Sequence, residues 1–195
     1  AWARTATRIR SATSTTPSRT VDPDLVVVAA GGGADGDDVL RLGFEVMEAE
    51  PHRRAIVVAG PFANNGHVLE SQRTLGRRVR FSGDTDGCVN LFARAGVVIQ
   101  MGGYNTTYEA LSAGSRPIIV PRRSPRREQV IRASRLAALG VADVVDAGVS
   151  GAEVRWLLNQ PRRLAPGILD ERGLTLDGAD TAAQHVIGLT RDCVA

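Results

Sequence analysis

The sequence predicts an α/β fold with a doubly wound, mostly parallel six-stranded sheet of the Rossmann-like type. From Leu25 onward, short apolar runs alternate with amphipathic stretches of ten or more residues, a pattern typical of βαβ units. Near-continuous Val and Ile at 25–28 and 97–99 indicate strands that are buried on both faces of the sheet. A chain of 195 residues with 43% apolar and 23% charged side chains fits one large core.

Each element follows from this alternation. The predicted strands are 25–30, 55–59, 79–82, 97–101, 117–120 and 142–145. The predicted helices are about 37–49, 67–76, 87–95, 105–113, 125–139 and 150–159. Residues 1–24, rich in Ala, Arg, Ser and Thr, are expected to form a linker or peripheral segment. Residues 25–160 form the Rossmann-like domain, and 161–195 form a tail with a final helix at 179–189.

The composition excludes several kinds of chemistry. All 24 basic residues are arginine, so no lysine is present for a Walker-type phosphate site or a Schiff base. His52, His67 and His185 are scattered and have no metal-binding spacing, so we expect no metal. Two widely separated cysteines, Cys88 and Cys193, indicate thiols in a reducing compartment, and we expect a cytoplasmic protein.

Positive charge is concentrated in two segments. Residues 1–20 carry four arginines and no acid, and residues 116–135 carry seven arginines and one acid. Aromatic residues make up only 4% of the chain and none lies within the arginine run, which argues against nucleic acid as a partner. The run is most simply a solvated rim, although an arginine there is also suited to phosphate.

Glycine clusters follow the first and the fourth predicted strands. They are Gly31, Gly32 and Gly33 after the first strand, and Gly102 and Gly103 after the fourth. In the strand order 3-2-1-4-5-6 these two ends flank the crevice where ligands bind. Glycine permits close backbone approach, and a helix N-terminus favours an anion, so this pair of turns is suited to a diphosphate.

A dinucleotide is the competing interpretation of the first cluster. Residues 31–36 satisfy G-x-G-x-x-G, but the ribose-binding acid expected about 20 residues later is missing. Ala59, Gly60 and Pro61 occupy that place, and three aspartates near the turn add negative charge. An oxidoreductase that uses NAD or a flavin is therefore the least favoured class.

Glu109 in the fourth turn has two interpretations. It lies one turn into the predicted helix 105–113, where a carboxylate can accept the two hydrogen bonds of a ribose diol. Thr106-x-x-Glu109 is equally a capping box that would use both side chains locally.

A longer stretch carries a family resemblance. The segments GGYNTTYEALSAGSRPIIVPR and EQVIRASRLAALG resemble the C-terminal, donor-binding domain of GT-B glycosyltransferases. The branch is that of the peptidoglycan N-acetylglucosaminyltransferase and bacterial predicted glycosyltransferases with a Gly-Tyr-Asn-Thr signature. The resemblance covers about residues 25–160.

The resemblance implies a set of donor-binding residues. In the family, the fourth turn binds the diphosphate or the donor sugar, and the residue at Glu109 binds the ribose. The residue at Gln129 contacts the donor sugar, and backbone groups at the end of the third strand bind the uracil edge. The glycine turn after the first strand lines the cleft. The residues so implied are Gly31, Gly32, Gly33, Phe81, Ser82, Gly102, Gly103, Asn105, Thr106, Glu109 and Gln129.

The expected function is that of a donor-binding half-enzyme. The resemblance implies transfer of a sugar from a nucleotide-sugar, with uridine the preferred base, to an unknown acceptor. It also implies no cofactor, and it implies an acceptor-binding domain or subunit that supplies the catalytic base and permits peripheral membrane association. A donor-binding subunit of a split glycosyltransferase and a sugar-nucleotide epimerase or hydrolase stay open as alternatives.

Overall fold

A computed structural model of the chain describes residues 20–31, 35–60, 73–82, 87–125 and 127–192. Of these residues, those from 20 to 166 belong to one compact unit, and those from Gly167 onward belong to a second unit. The glycine turn at Gly32 and Gly33 and most of the predicted helix 67–76 lie outside the described residues.

The first unit contains a six-stranded, all-parallel sheet. Its strands are β1 (Asp22–Ala29), β2 (Arg54–Val58), β3 (Val79–Ser82), β4 (Ala95–Gln100), β5 (Ile118–Ile119) and β6 (Asp143–Val144). Their order in the sheet is β3-β2-β1-β4-β5-β6, and every pair is parallel. The predicted doubly wound α/β fold is confirmed, and the strand order reverses between β1 and β4.

The two central strands form the core. Residues 25–30 and 97–101 are all buried, because helices cover both faces of the sheet. Val26 and Val28 belong to the apolar cluster on one face, whereas Leu25 and Val27 belong to the cluster on the other. Ala29 pairs with Gln100, so β1 and β4 end at the same level.

Within the described residues, this unit contains a 3-10 helix (Gly76–Arg78), a helical segment at 73–75 and five further α-helices. They are α1 (Asp37–Ala49), α2 (Val89–Arg94), α3 (Tyr104–Ser112), α4 (Glu128–Ala138) and α5 (Arg155–Leu158). α1 packs on one face, where a Cβ at Gly43 would lie 2.7 Å from Val28 Cγ2. α2 and α3 cover the opposite face with the fully buried Phe92 and Ala110.

Three predicted helices are shorter than expected, and the first of them, expected at 87–95, is confined to α2. The helix expected at 150–159 is confined to α5, and residues 151–154 form turns that follow a capping box between Ser150 and Glu153. The helix expected at 125–139 begins at Glu128, after an N-cap at Arg127. The helix therefore starts three residues later than predicted.

Arginine side chains bind the carbonyl groups at helix ends. Arg163 donates to the carbonyl of Phe92 at 3.1 Å and to that of Ala113, which lie at the C-terminal ends of α2 and α3. Arg78 donates to the carbonyl of Met47 at 2.9 Å in the last turn of α1. Carbonyl groups in the last turn of a helix retain acceptor capacity, and a cation there also complements the helix dipole.

Asp143 at the sheet edge joins two arginines. Its carboxylate contacts Arg116 at 3.0 Å and the buried Arg162 at 2.7 Å. Burial lowers the pKa of Arg162, and the bond to Asp143 opposes that shift. Backbone bonds from Arg116 to Arg162 and from Leu164 to Gly114 tie the segment after α5 to the residues before β5.

The second unit contains two described helices, α6 (Ile168–Glu171) and α7 (Gly178–Asp192). The predicted helix 179–189 lies within α7. Among the described residues, no helix is both long and apolar enough to cross a membrane.

Candidate functional site

The carboxyl ends of β1 and β4 form a pair of adjacent glycine turns. Gly31 has φ +77° and Gly102 has φ +87°, values that side-chain-bearing residues rarely adopt. A Cβ at Gly31 would lie 3.0 Å from Met101 Cε, and one at Gly102 would lie 2.8 Å from Ile119 Cγ2. The two predicted glycine turns are therefore close together, and their shapes depend on glycine.

The N-terminus of α3 follows directly from the second turn. Gly103 is the N-cap, and its carbonyl accepts the N–H of Thr107 at 2.9 Å. No side chain caps this end, so the N–H groups of Tyr104, Asn105 and Thr106 face it without an intrahelical acceptor. Asn105 is exposed and Thr106 half-buried. This end of α3 therefore presents donors and a partial positive charge to an anion.

The capping-box interpretation of Thr106 and Glu109 is wrong. α3 begins at Tyr104, so both residues lie inside the helix and not at its cap. The carboxylate of Glu109 instead accepts the backbone N–H of Cys88 at 2.9 Å, at the N-cap of α2. Its other oxygen, Oε1, lies beside Gly87, where an added Cβ would be 3.1 Å away and where φ is +103°.

Glu109 is thus a half-buried carboxylate held in a fixed position between two helices. One oxygen is bonded to Cys88, and the glycine at 87 leaves space next to the other. A carboxylate has about four lone-pair sites, so it retains acceptor capacity for hydroxyl groups.

Gln129 lies on α4 with only 7% of its surface exposed. Its Oε1 accepts the backbone N–H of Arg122 at 3.1 Å, which fixes the segment that follows β5. Gln129 is therefore a buried helix residue that holds the backbone of Arg122, and it is not a solvated one.

Arg132 lies one turn further along α4 and contacts the β4 turn. Its guanidinium donates to the carbonyl of Gly102 at 2.8 Å and lies 5.5 Å from the ring centroid of Tyr104. Tyr104 is 66% exposed, so the two side chains form a polar and aromatic wall next to the N-terminus of α3.

Other arginines of the segment 116–135 form ion pairs. Arg122 pairs with Asp35, which precedes α1, and contacts Glu128 at 3.5 Å. Arg123 pairs with the exposed Asp146. The negative charge near the first turn, which weakened the dinucleotide interpretation, is thus partly neutralised by Arg122.

A buried amide lies below α3. Gln100, fully buried at the end of β4, accepts a weak hydrogen bond of 3.5 Å from Thr107 Oγ1, and its Nε2 has no partner among the described residues. Apolar side chains occupy the rest of that face, which supports the base of the site.

Phe81 and Ser82 lie at the end of β3, the edge strand of the sheet. Two strands separate β3 from β4, and the Phe81 ring packs against Phe44 of α1 with a centroid distance of 6.3 Å. The structure therefore does not bring these two residues to the β4 turn. The chain returns to the site at Gly87 and Cys88, beside Glu109.

No metal-binding cluster of His, Cys, Asp or Glu occurs among the residues that the structure describes. His52 lies near Glu50 and Asp24, at the opposite end of the sheet from the glycine turns, and His185 belongs to the second unit. The groups described at the two glycine turns are hydrogen-bond donors and a carboxylate, and none is a histidine.

Sequence reasoning missed several contacts at this site. The partner of Glu109, the contact of Arg132 with Gly102 and the pair of Arg122 with Asp35 were not predicted. The spacing of Gln129 and Arg132 could have indicated one of them. The two residues are three apart and share a helix face, so Arg132 is expected near the place that Gln129 contacts.

Comparison with models of protein families gives no match, and comparison with curated proteins gives none either. Solved structures match the fold. A glycosyltransferase of kitacinnamycin is similar over 87% of this chain and 44% of its own, at 20% identity and a TM-score of 0.57. MurG of Acinetobacter baumannii is similar over 94% of this chain and 53% of its own, at 15% identity and the same TM-score.

A third match is TarM of S. aureus, in a complex with fondaparinux, α-GlcNAc-glycerol and UDP. It is similar over 75% of this chain and 31% of its own, at 10% identity and a TM-score of 0.54. The chain thus spans about half or less of the length of these structures. Its first unit has the Rossmann-like α/β fold of GT-B glycosyltransferases.

Proposed function

We propose that this chain is the donor-binding half of a glycosyltransferase and binds a nucleotide-sugar, with UDP as the preferred nucleotide. The observation that carries the proposal is the meeting of three groups at the β1/β4 switch point. They are the glycine turns, the uncapped N-terminus of α3 and the fixed carboxylate of Glu109.

Each group suits one part of such a donor. The turn at Gly102 and the N–H groups of Tyr104, Asn105 and Thr106 bind the diphosphate. The carboxylate of Glu109 accepts hydrogen bonds from the ribose hydroxyls, because Cys88 occupies only one of its oxygens. Gln129, through the segment it fixes, and Gly103 border the place of the donor sugar. By the family resemblance, backbone groups around Phe81 and Ser82, at the end of β3, bind the uracil edge.

Uridine is preferred on two grounds, the family resemblance of residues 102–140 and the UDP present in the TarM structure. The acceptor and the catalytic base belong to a second domain or subunit. The chain spans only 44% of the kitacinnamycin glycosyltransferase and 53% of MurG. Transfer requires both substrates in one productive geometry.

The test is a panel of UDP, GDP, dTDP and NAD against the thermal stability of the chain. A nucleotide at 100 times its Kd adds about 2.7 kcal/mol, a shift of roughly 5–10 °C for a domain of this size. We expect the largest shift with UDP and no shift with NAD. A larger shift with NAD would favour an oxidoreductase, and equal shifts with all four would remove the uridine preference.

A further inference from the structure

An ion pair crosses the carboxyl end of β4. Arg122 follows β5 and Asp35 follows β1, and both strands are neighbours of β4 in the sheet. Adjacent strands are about 4.8 Å apart, so a contact between the loops after β1 and β5 spans roughly 10 Å across the end of β4. The pair therefore lies at the turn where α3 begins.

Two contacts from α4 place Arg122 next to that turn. Gln129 accepts the backbone N–H of Arg122 at 3.1 Å, and Arg132, three residues further on the same helix, donates to the carbonyl of Gly102 at 2.8 Å. Because Gln129 is buried, the backbone of Arg122 is fixed without any help from Asp35.

The guanidinium is more confined than the carboxylates that it contacts. The Arg122 side chain is 24% exposed, whereas those of Asp35 and Glu128 are 48% and 46% exposed. The Nε of Arg122 is buried and has no acceptor among the described residues. Asp35 can return to water at little cost, but the guanidinium stays at the turn and needs an acceptor.

We propose that Asp35 competes with the donor's diphosphate for Arg122. Without ligand, Arg122 is paired with Asp35, and when a nucleoside diphosphate binds at the N-terminus of α3, its phosphate oxygens replace the carboxylate. A diphosphate is the stronger partner, because it carries more charge and accepts bidentate hydrogen bonds from a guanidinium. Arg122 is then a phosphate-binding residue, and Asp35 lowers the affinity of the site for anions. This inference rests on the proposed function.

The neighbouring pair provides a matched control. Arg123, adjacent to Arg122, pairs with Asp146, and both of these side chains are well exposed. Asp146→Asn removes the same charge from the same rim without touching Arg122. Calorimetry then compares wild type, Asp35→Asn, Arg122→Gln, the double variant and Asp146→Asn. The ligands are UDP, inorganic pyrophosphate and uncharged uridine, and thermal melts confirm that each variant folds.

We expect Asp35→Asn to raise the affinity for UDP and for pyrophosphate by about 2–5-fold. Arg122→Gln should lower both by about 10–100-fold. Asp35→Asn should have no effect in the Arg122→Gln background, and no variant should change uridine binding. Asp146→Asn should leave all affinities unchanged.

The proposal is overturned if Asp35→Asn leaves UDP and pyrophosphate affinity unchanged or lowers it, since Asp35 would then only support the loop. It is also overturned if Asp146→Asn raises affinity equally, because the effect would then be one of net charge. If the variants change pyrophosphate affinity as expected but the chain binds UDP no more tightly than pyrophosphate, only the proposed function is overturned. A wild type that binds neither overturns both.

Discussion

The carboxylate of Glu109, on α3, accepts the backbone N–H of Cys88, at the N-cap of α2, at 2.9 Å. One side chain thus joins two helices that cover the same face of the sheet, and α3 itself begins at the turn that contains Gly102. A carboxylate that is held by a backbone bond loses little conformational entropy when it binds a second group. The contact is therefore suited to presenting the remaining lone pairs to a ligand.

Glu109→Gln separates a structural from a binding role. The amide oxygen still accepts the Cys88 N–H, so we expect the free energy of unfolding to fall by at most about 1 kcal/mol. A charged hydrogen bond to the ribose is lost, so UDP affinity should fall by roughly 10–150-fold, or about 1.5–3 kcal/mol. Calorimetry measures the affinity, with Glu48→Gln, an exposed carboxylate on α1, as the control. Unchanged UDP binding would restrict Glu109 to joining the helices.

Gly102→Ala tests the shape of the β4 turn. Alanine at φ +87° is strained by about 1–2 kcal/mol, and its Cβ would meet Ile119 Cγ2 at 2.8 Å, which adds about 1–3 kcal/mol of overpacking. Gly140→Ala is the matched control, because φ there is +73° and no atom lies within 4 Å of the added Cβ. We expect urea unfolding to show a larger loss for Gly102→Ala, and only that variant to lose UDP binding. Equal losses of stability in the two variants would mean that the backbone strain at positive φ, and not the contact with Ile119, determines the result.

The sheet was predictable from the sequence, and most contacts of the site were not. Alternation of apolar runs and amphipathic helices is a local signal, and it gave all six strands with their parallel arrangement. The pair of Arg122 and Asp35 joins residues 87 apart, and that of Glu109 and Cys88 joins residues 21 apart. No local pattern encodes such contacts, since Cys88 contributes only a backbone N–H.

The start of α3 shows how a local rule fails. Residue preferences favour a hydroxyl at the N-cap, which points to Thr106. The strand ends at Gln100, and the left-handed backbone of Gly102 reverses the chain within two residues, so the helix begins earlier, with Gly103 as its cap. This earlier start leaves its first N–H groups without side-chain partners.

Asp143→Asn tests the support of the sheet edge. The variant leaves the buried Arg162 without its carboxylate, and Arg116 loses the same partner. Removing one member of a buried pair costs about 3–5 kcal/mol, whereas an exposed pair contributes about 0–1 kcal/mol. We expect denaturant unfolding to show a loss several times that of Asp146→Asn, whose pair with Arg123 is exposed. Similar losses for both variants would contradict a structural role for the edge cluster.

Asp22 gives the stability a dependence on pH. Its hydrogen bond from Arg54, which joins β1 to β2, holds the pKa of this carboxyl below its ordinary value of about 3.9. The folded state then binds the proton less readily than the unfolded state, so this stabilisation is complete above about pH 5 and is lost as pH falls through the folded pKa. The difference in Tm between wild type and Asp22→Asn should be constant from about pH 5 to 7 and shrink below about pH 4. A constant difference down to about pH 2 would show that the pair does not titrate as described.

The isolated chain should bind a UDP-sugar without transferring or appreciably hydrolysing it. A general base must approach within about 2.6–3.2 Å of the acceptor hydroxyl. Among the described residues of the first unit, the only histidine is His52, and it lies at the end of the sheet away from the glycine turns. Release of UDP over hours, measured with and without an acceptor-binding half added in trans, decides the matter. Turnover only on addition of the other half agrees with a donor-binding half-enzyme, whereas robust turnover by the chain alone would favour a hydrolase or epimerase.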